Sequence, residues 1–186
     1  GAMPGSGVLA HNGGMRWFAI RFALVLLALF AFELTPPGQT LVGPWTAFVA
    51  SASAGLVQAF DGDAAARGIV LYSQKSGFAV AIQAGCNGIE AMLVLVAGML
   101  AYPATWRQRA AGIAIGAMAI QALNLARVVS LFYLGQWNRE WFEWAHLYAW
   151  QALIMLDAVI VWLLWIRHVD TRGAAAGGPP PAGATA

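Results

Sequence analysis

The chain alternates long apolar stretches with short polar or turn-forming breaks. Residues 17–32 are nearly all apolar, entered by Arg16 and closed by Glu33 and Pro36-Pro37. Residues 88–102 form a second run, ended by Pro103. Residues 110–134 form a third, carrying Gln121, Asn124 and Arg127, and residues 145–166 a fourth, with His146, Gln151 and Asp157 inside it. A hydrocarbon core about 30 Å thick takes roughly 20 helical residues to cross. Each run is near that length, the second with its flanks included. The pattern predicts an all-α polytopic membrane protein with about four transmembrane helices.

Residues 41–60 follow a different pattern. Apolar side chains at 41, 45, 48, 49, 52, 56 and 60 have the spacing of one helical face, with Thr46, Ser51, Ser53 and Gln58 between them. This predicts an amphipathic helix lying in the membrane interface. Residues 69–83 hold two short β-prone runs flanking Gln74-Lys75-Ser76-Gly77, which predicts a short β-hairpin. Residues 1–14 open with Gly1-Ala2-Met3, a scar of the kind left by tag cleavage, and are glycine-rich and aperiodic. Residues 170–186 are low-complexity. The expected organisation is one membrane-embedded domain, residues 15–169, between a mobile start at 1–14 and a disordered tail at 170–186.

Composition supports the membrane reading without any motif. Of 186 residues, 60% are hydrophobic and 10% charged, against about 45–50% and 25% in soluble domains. A net charge of +2, with the basic residues spread over membrane edges, argues against a nucleic-acid partner. A single cysteine, Cys86, excludes an internal disulfide and any multi-cysteine metal site. Phosphate-loop and His-Glu-x-x-His motifs are missing, and no carboxylates are spaced for a metal site after His146, so no cofactor is expected. Nine tryptophans, dense at 137, 141, 144 and 150, fit an interfacial belt. Arg16 and Arg21, Arg107 and Arg109, and Arg167 and Arg172 form three clusters at span ends. Four spans put all three on one side, which the positive-inside rule makes cytoplasmic; five would separate the terminal clusters. Both termini are then cytoplasmic, and residues 34–85 lie outside.

That orientation puts Cys86 at the outer mouth of the second span and His146 at the outer mouth of the fourth. Arg127 lies about 10 Å below the outer end of the third at ~1.5 Å per residue, with a side chain long enough to snorkel upward. The three converge near one membrane face. Such a trio supports acyl transfer: a thiolate attacks a peptide carbonyl and forms a thioester. Histidine protonates the leaving amine and activates the incoming nucleophile, and the guanidinium stabilises the oxyanion or favours the thiolate. Glu90, one turn after Cys86, is a candidate to orient His146 or to pair with Arg127. Gln121, Asn124 and Arg127 form a polar stripe on one helix face, which either supports the site or hydrogen-bonds neighbouring helices.

Plainer readings stand beside these. A lone cysteine packs as a small apolar residue, and a histidine at a span end is often simply interfacial. A non-enzymatic carrier or assembly subunit using Arg127, Asn124 and Asp157 would leave Cys86 incidental. An arginine inside a span is the hardest of these groups to explain without function. A serine hydrolase would need a Ser–His pairing; the glycine-x-serine-x-glycine motif is absent, and Ser130 is the serine best placed within a span.

Gly85-Cys86-Asn87-Gly88-Ile89-Glu90, Asn124-Leu-Ala-Arg127-Val-Val-Ser130 and Trp144-Ala-His146 resemble the exosortase/archaeosortase family, especially its short exosortase H branch. The resemblance covers about residues 16–168, and the order and spacing of Cys, Arg and His are specific in combination. It implies a thiol protease or transpeptidase of the Gram-negative inner membrane, its active site facing the periplasm. Its substrates would be secreted proteins with CTERM-type C-terminal sorting signals: a proline-containing motif of the Ile-Pro-Thr-Leu type, a transmembrane helix and a basic end. Carried over by position, Cys86 is the nucleophile, Arg127 the essential arginine and His146 the acid/base, with Asn124, Glu90 and Asn87 in support. Asn87 departs from many relatives, which have Ser or Ala there. Besides the substrate, the implied partners are membrane lipids and a lipid- or glycan-linked acceptor. The helix at 41–60 and the hairpin would cap the cleft and hold the extended motif beside Cys86, with strand addition to the hairpin edge as one physical means.

Overall fold

The computed structural model describes residues 6–60 and 62–176, with side chains described from Gly14 to Arg172. Along the chain come α1 (Ser6–Glu33), α2 (Pro36–Phe60), β1 (Ala64–Arg67), β2 (Val70–Ser73), β3 (Ala79–Ala81), α3 (Ile89–Ala101), α4 (Trp106–Trp137) and α5 (Arg139–Trp144). A π-helical turn (Ala145–Ala149) and α6 (Trp150–Ala176) complete it. Helix extends further at both ends than the low-complexity composition suggests. The lead-in expected to be mobile is helical from Ser6, and the tail expected to be disordered from 170 is helical through Ala176. The remainder of both segments lies outside the described residues.

Four helical stretches are long and apolar enough to cross a membrane: Gly14–Glu33, Pro36–Phe60, Trp106–Trp137 and Arg139–Arg172. The class is therefore that of an all-α polytopic membrane protein, and the expected number of spans agrees. The set differs in one member. By length α2 qualifies, where an interfacial helix was expected, whereas α3, expected as a span, has 13 residues, about 20 Å at 1.5 Å per residue.

Packing shows what each of these two helices does. α3 sits in a bundle with α1, α4 and α6, its Ala91, Leu95 and Met99 meeting Ile120, Ile154 and Ala158. α2 stands at one end of that bundle. Its Val49, Ala50, Ala54 and Val57 pack with Leu71 and Ile82 of the sheet region and with Val128 and Phe132 of α4. Phe132 is fully enclosed; truncating such a side chain to alanine costs about 3–5 kcal/mol.

The face of α2 that packs takes in only part of the apolar stripe: Val49 is buried and Trp45 packs against the same cluster. Leu41, Phe48, Leu56 and Phe60 point outward, whereas Thr46 and Ser53 are buried. Their hydroxyls donate to the carbonyls of Val42 and Val49, each at 2.8 Å, so burial leaves no hydroxyl proton unpaired. Between membrane helices, where lipid is as apolar as leucine, small and hydroxyl-bearing residues favour close packing and the large apolar ones face outward.

The sheet marks the end of the bundle where α2 packs. It is antiparallel in the order β1-β2-β3. The expected hairpin is present as β2 and β3, flanking residues 74–78, and β1 adds a third strand. Ser73 N–H donates to Phe78 O at 2.8 Å and Ile82 N–H to Ile69 O at 2.9 Å. With that register the backbone groups of Ala79 and Ala81 turn outward, so β3 is an open edge. The sheet is fastened to α4 where Phe78 closes over Gly135 and where Ser76 Oγ donates to Gln136 Oε1 at 2.7 Å.

At the opposite end, a Thr105–Gln108 capping box starts α4. There Arg109 donates to Tyr102 O at 2.9 Å and lies over the Trp106 ring. α4 is about 48 Å long, more than the hydrocarbon thickness. Arg127 lies about 32 Å along it from Trp106, near the far boundary of a core that begins at that tryptophan.

Candidate active site

Cys86 lies in the turn between β3 and α3, outside the helices. Gly85 and Gly88 flank this turn with φ of 82° and 77°, a region that L side chains rarely adopt. Gly88 also meets Gln121, whose Nε2 would lie 2.6 Å from an added Cβ. Cys86 N–H donates to Gln83 O at 2.9 Å. Gly85 is held from two sides: its N–H donates to Glu90 Oε1 on α3, and its carbonyl accepts from Arg127 Nη1 on α4 at 2.8 Å. The backbone of the Cys86 turn is thus tied to two helices.

Arg127 is 2% exposed. Its Nη2 donates to Cys86 Sγ at 3.5 Å, and its Nε–H has no partner. Among the described residues no carboxylate lies within ion-pairing distance of the buried guanidinium.

His146 lies in the π-helical turn, where the backbone winds wider than an α-helix; such turns occur often at functional sites. The Phe142 ring stacks on it in parallel, with centroids 5.7 Å apart and planes 9° off. Cys86 Sγ is 3.8 Å from Nδ1 and 3.9 Å from Nε2. The near-equal distances single out neither nitrogen, and which of them accepts depends on the tautomer.

The trio lines a cleft of about 210 Å³ that also includes Val80, Ala81 and Gln83. A neighbouring cavity of about 520 Å³ shares those three residues and Phe142, and extends along β3. The open edge strand therefore runs beside the thiol. Burial pushes the Cys86 thiol up from its ordinary pKa; the Arg127 charge pulls it down and Glu90 pushes it up. Burial is the largest of these influences, and the net direction is upward.

Of the sequence-derived candidates, Cys86, Arg127 and His146 come together. The supporting three take other places. Asn87 is fully enclosed, with Nδ2 donating to Thr46 Oγ1 at 3.1 Å and Oδ1 accepting from Ile89 N–H at 3.0 Å. Its carbonyl accepts from Trp45 Nε1 and Gln121 Nε2, so Asn87 joins α2, α3 and α4 and lies off the cleft. Asn124 is enclosed too; its Nδ2 donates to Gln121 Oε1 at 3.4 Å and its Oδ1 is unpartnered. Glu90, a candidate to orient His146 or pair with Arg127, holds the Gly85 N–H instead.

Asp157 Oδ2 has no partner, and no hydrogen bond links that group to Arg127 or Asn124. Among the described residues no three His, Cys, Asp or Glu side chains gather as a metal-ligand set. Two contributors escaped the sequence reading. Phe142 precedes His146 by four residues in a helical stretch, a spacing that brings side chains together. The Gly85 carbonyl carries no side-chain signal.

No curated protein and no solved structure matches the chain. The family model described as transmembrane exosortase (Exosortase_EpsH) matches residues 3–166. Over so large a share of the sequence that match settles membership: the chain belongs to the transmembrane exosortase family.

Proposed function

We propose that this exosortase-family membrane protein is a cysteine-dependent protease or transpeptidase that cleaves C-terminal sorting signals from secreted proteins. The observation that carries the proposal is the approach of His146 and Arg127, from separate helical segments, to the Cys86 sulfur. Membrane packing alone gives no reason for an uncompensated buried arginine to adjoin a thiol.

The reaction follows from the positions. Cys86 passes its proton to His146 as the sulfur attacks the scissile carbonyl, and the oxyanion forms facing the Arg127 guanidinium. Collapse breaks the C–N bond; the amine takes the proton from His146 and leaves a thioester on Cys86. Water, or an amine on a lipid or glycan acceptor, gives a proton to His146 and attacks the thioester, and the departing sulfur recovers that proton. Arg127 acts in both half-reactions, because each passes through a tetrahedral oxyanion.

The peptide substrate is supported by the open β3 edge. An extended motif adding as a fourth strand to Ala79 and Ala81 would satisfy its own backbone groups and run into the Cys86 cleft. The substrate is of the CTERM type, with a proline-containing motif, a transmembrane helix and a basic tail, as in the short exosortase H branch. The active site faces the periplasm with both termini cytoplasmic; the arginine clusters support this, since Arg107, Arg109 and Arg172 lie at the end of α4 and α6 remote from the sheet.

Co-expression with a secreted reporter bearing such a tail tests the proposal. The native chain should yield reporter shortened by the tail mass, whereas Cys86→Ala, Arg127→Ala and His146→Ala, present at equal membrane levels, should not. Normal processing by Cys86→Ala would rule out thiol chemistry.

A further inference from the structure

A second feature, independent of the proposed chemistry, lies at the end of the bundle remote from the sheet. A cavity of about 670 Å³ opens between α4 and α6. Its floor is built by close approach: Trp165 lies against Gly112, where no side chain intervenes, and its Nε1 donates to Gln108 O at 2.9 Å. Ala111, Ile115 and Leu164 continue an apolar track along both helices, and Arg107, His168 and Arg172 stand at its mouth.

These three have no carboxylate partner among the described residues; Asp170, close in sequence, accepts from Tyr102 Oη instead. From Arg107 to Ala119 the track is about 18 Å long at 1.5 Å per residue, comparable with one leaflet of a ~30 Å core. The cavity thus joins a basic mouth to an apolar channel of acyl-chain length.

We propose that this groove binds an anionic phospholipid, its phosphate at Arg107, His168 and Arg172 and one acyl chain along the track over Gly112. Basic pockets between membrane helices take anionic headgroups in this way. Charge decides against the other apolar occupant at hand. A substrate helix ending in a basic tail would bring like charge to the same mouth. The lipid fills the space between α4, which carries Arg127, and α6, which continues from the π-helical turn of His146.

The test is native mass spectrometry of the full chain in detergent, titrated separately with phosphatidylglycerol and phosphatidylcholine of equal acyl length. Phosphatidylglycerol should be retained preferentially. The double variant Arg107→Gln/Arg172→Gln should weaken that retention about thirtyfold, from ~1 kcal/mol per basic residue, with helicity by circular dichroism unchanged. Ile115→Trp, which narrows the track and leaves the mouth charged, should also reduce it. Equal retention of the two lipids, or no effect of the double variant, would overturn the proposal. So would displacement of the lipid by glycerol 3-phosphate, which would mark a phosphate site alone, or by a synthetic basic-tailed transmembrane helix, which would assign the groove to the substrate.

Discussion

Replacing Arg127 with methionine separates catalysis from stability in a way that few substitutions could. The guanidinium makes one short hydrogen bond, to Gly85 O, and a longer one to Cys86 Sγ, while Nε–H has none. Hydrogen bonds to charged groups contribute about 1.5–3 kcal/mol each, whereas burying an unpaired charge costs several kcal/mol. Methionine keeps the length and removes the charge. It also leaves Gly85 O without its partner, at about 1–3 kcal/mol. These opposing contributions leave the stability of Arg127→Met within about 2 kcal/mol of native.

Cleavage should respond far more. Loss of one donor to a developing oxyanion lowers the rate by about 10²–10³, or roughly 2.7–4 kcal/mol of barrier. Arg127→Lys should fall between the two, because one ammonium cannot occupy both donor positions. The assay pairs initial rates of tail removal in proteoliposomes with thermal unfolding of the same preparations. If Arg127→Met cleaves at the native rate, Arg127 does not stabilise the oxyanion. If unfolding collapses and activity merely follows the folded fraction, the arginine is structural.

Other expectations are as direct. Because burial raises the Cys86 thiol, its alkylation rate should climb with pH across 7–9, by about tenfold per unit while the thiol form dominates. Arg127→Met, which removes the one nearby cation, should slow alkylation at each pH; a plateau at pH 8 would contradict the sign of the shift. Asn87→Ala deletes two buried hydrogen bonds joining α2 to the start of α3 and should lower stability by about 1–3 kcal/mol in thermal unfolding. Ala81→Pro removes an outward N–H while sparing the pairing to β2. It should cut cleavage of a folded tail-bearing reporter with little change in Cys86 labelling, and unaltered cleavage would sink strand addition.

The apolar runs announced the helices because membrane segments are hydrophobic on all sides, and α1, α4 and α6 follow them closely. The same property hid how α2 is turned. In water the stripe 41, 45, 48, 49, 52, 56 and 60 would be a core face, yet Leu41, Phe48, Leu56 and Phe60 face outward while Val49 is enclosed together with Ser53. The meeting of Cys86, Arg127 and His146 was legible because topology alone brings the ends of their segments to one face. The tasks of Glu90 and Asn87 were not, because each serves backbone groups of the Cys86 turn and the α3 start. Side-chain types do not encode those partners. The third strand was missed because Ala64–Arg67 has almost no β-branched or aromatic signal.

The double attachment of Gly85 has a mechanical consequence. Its N–H is fixed to α3 and its carbonyl to α4, so the sulfur on the next residue moves whenever those helices slide or tilt against each other. A 13-residue helix beside one of 32 feels a change in bilayer thickness differently. A change in bilayer thickness that shifts α3 against α4 would therefore move the Cys86 sulfur relative to the His146 ring.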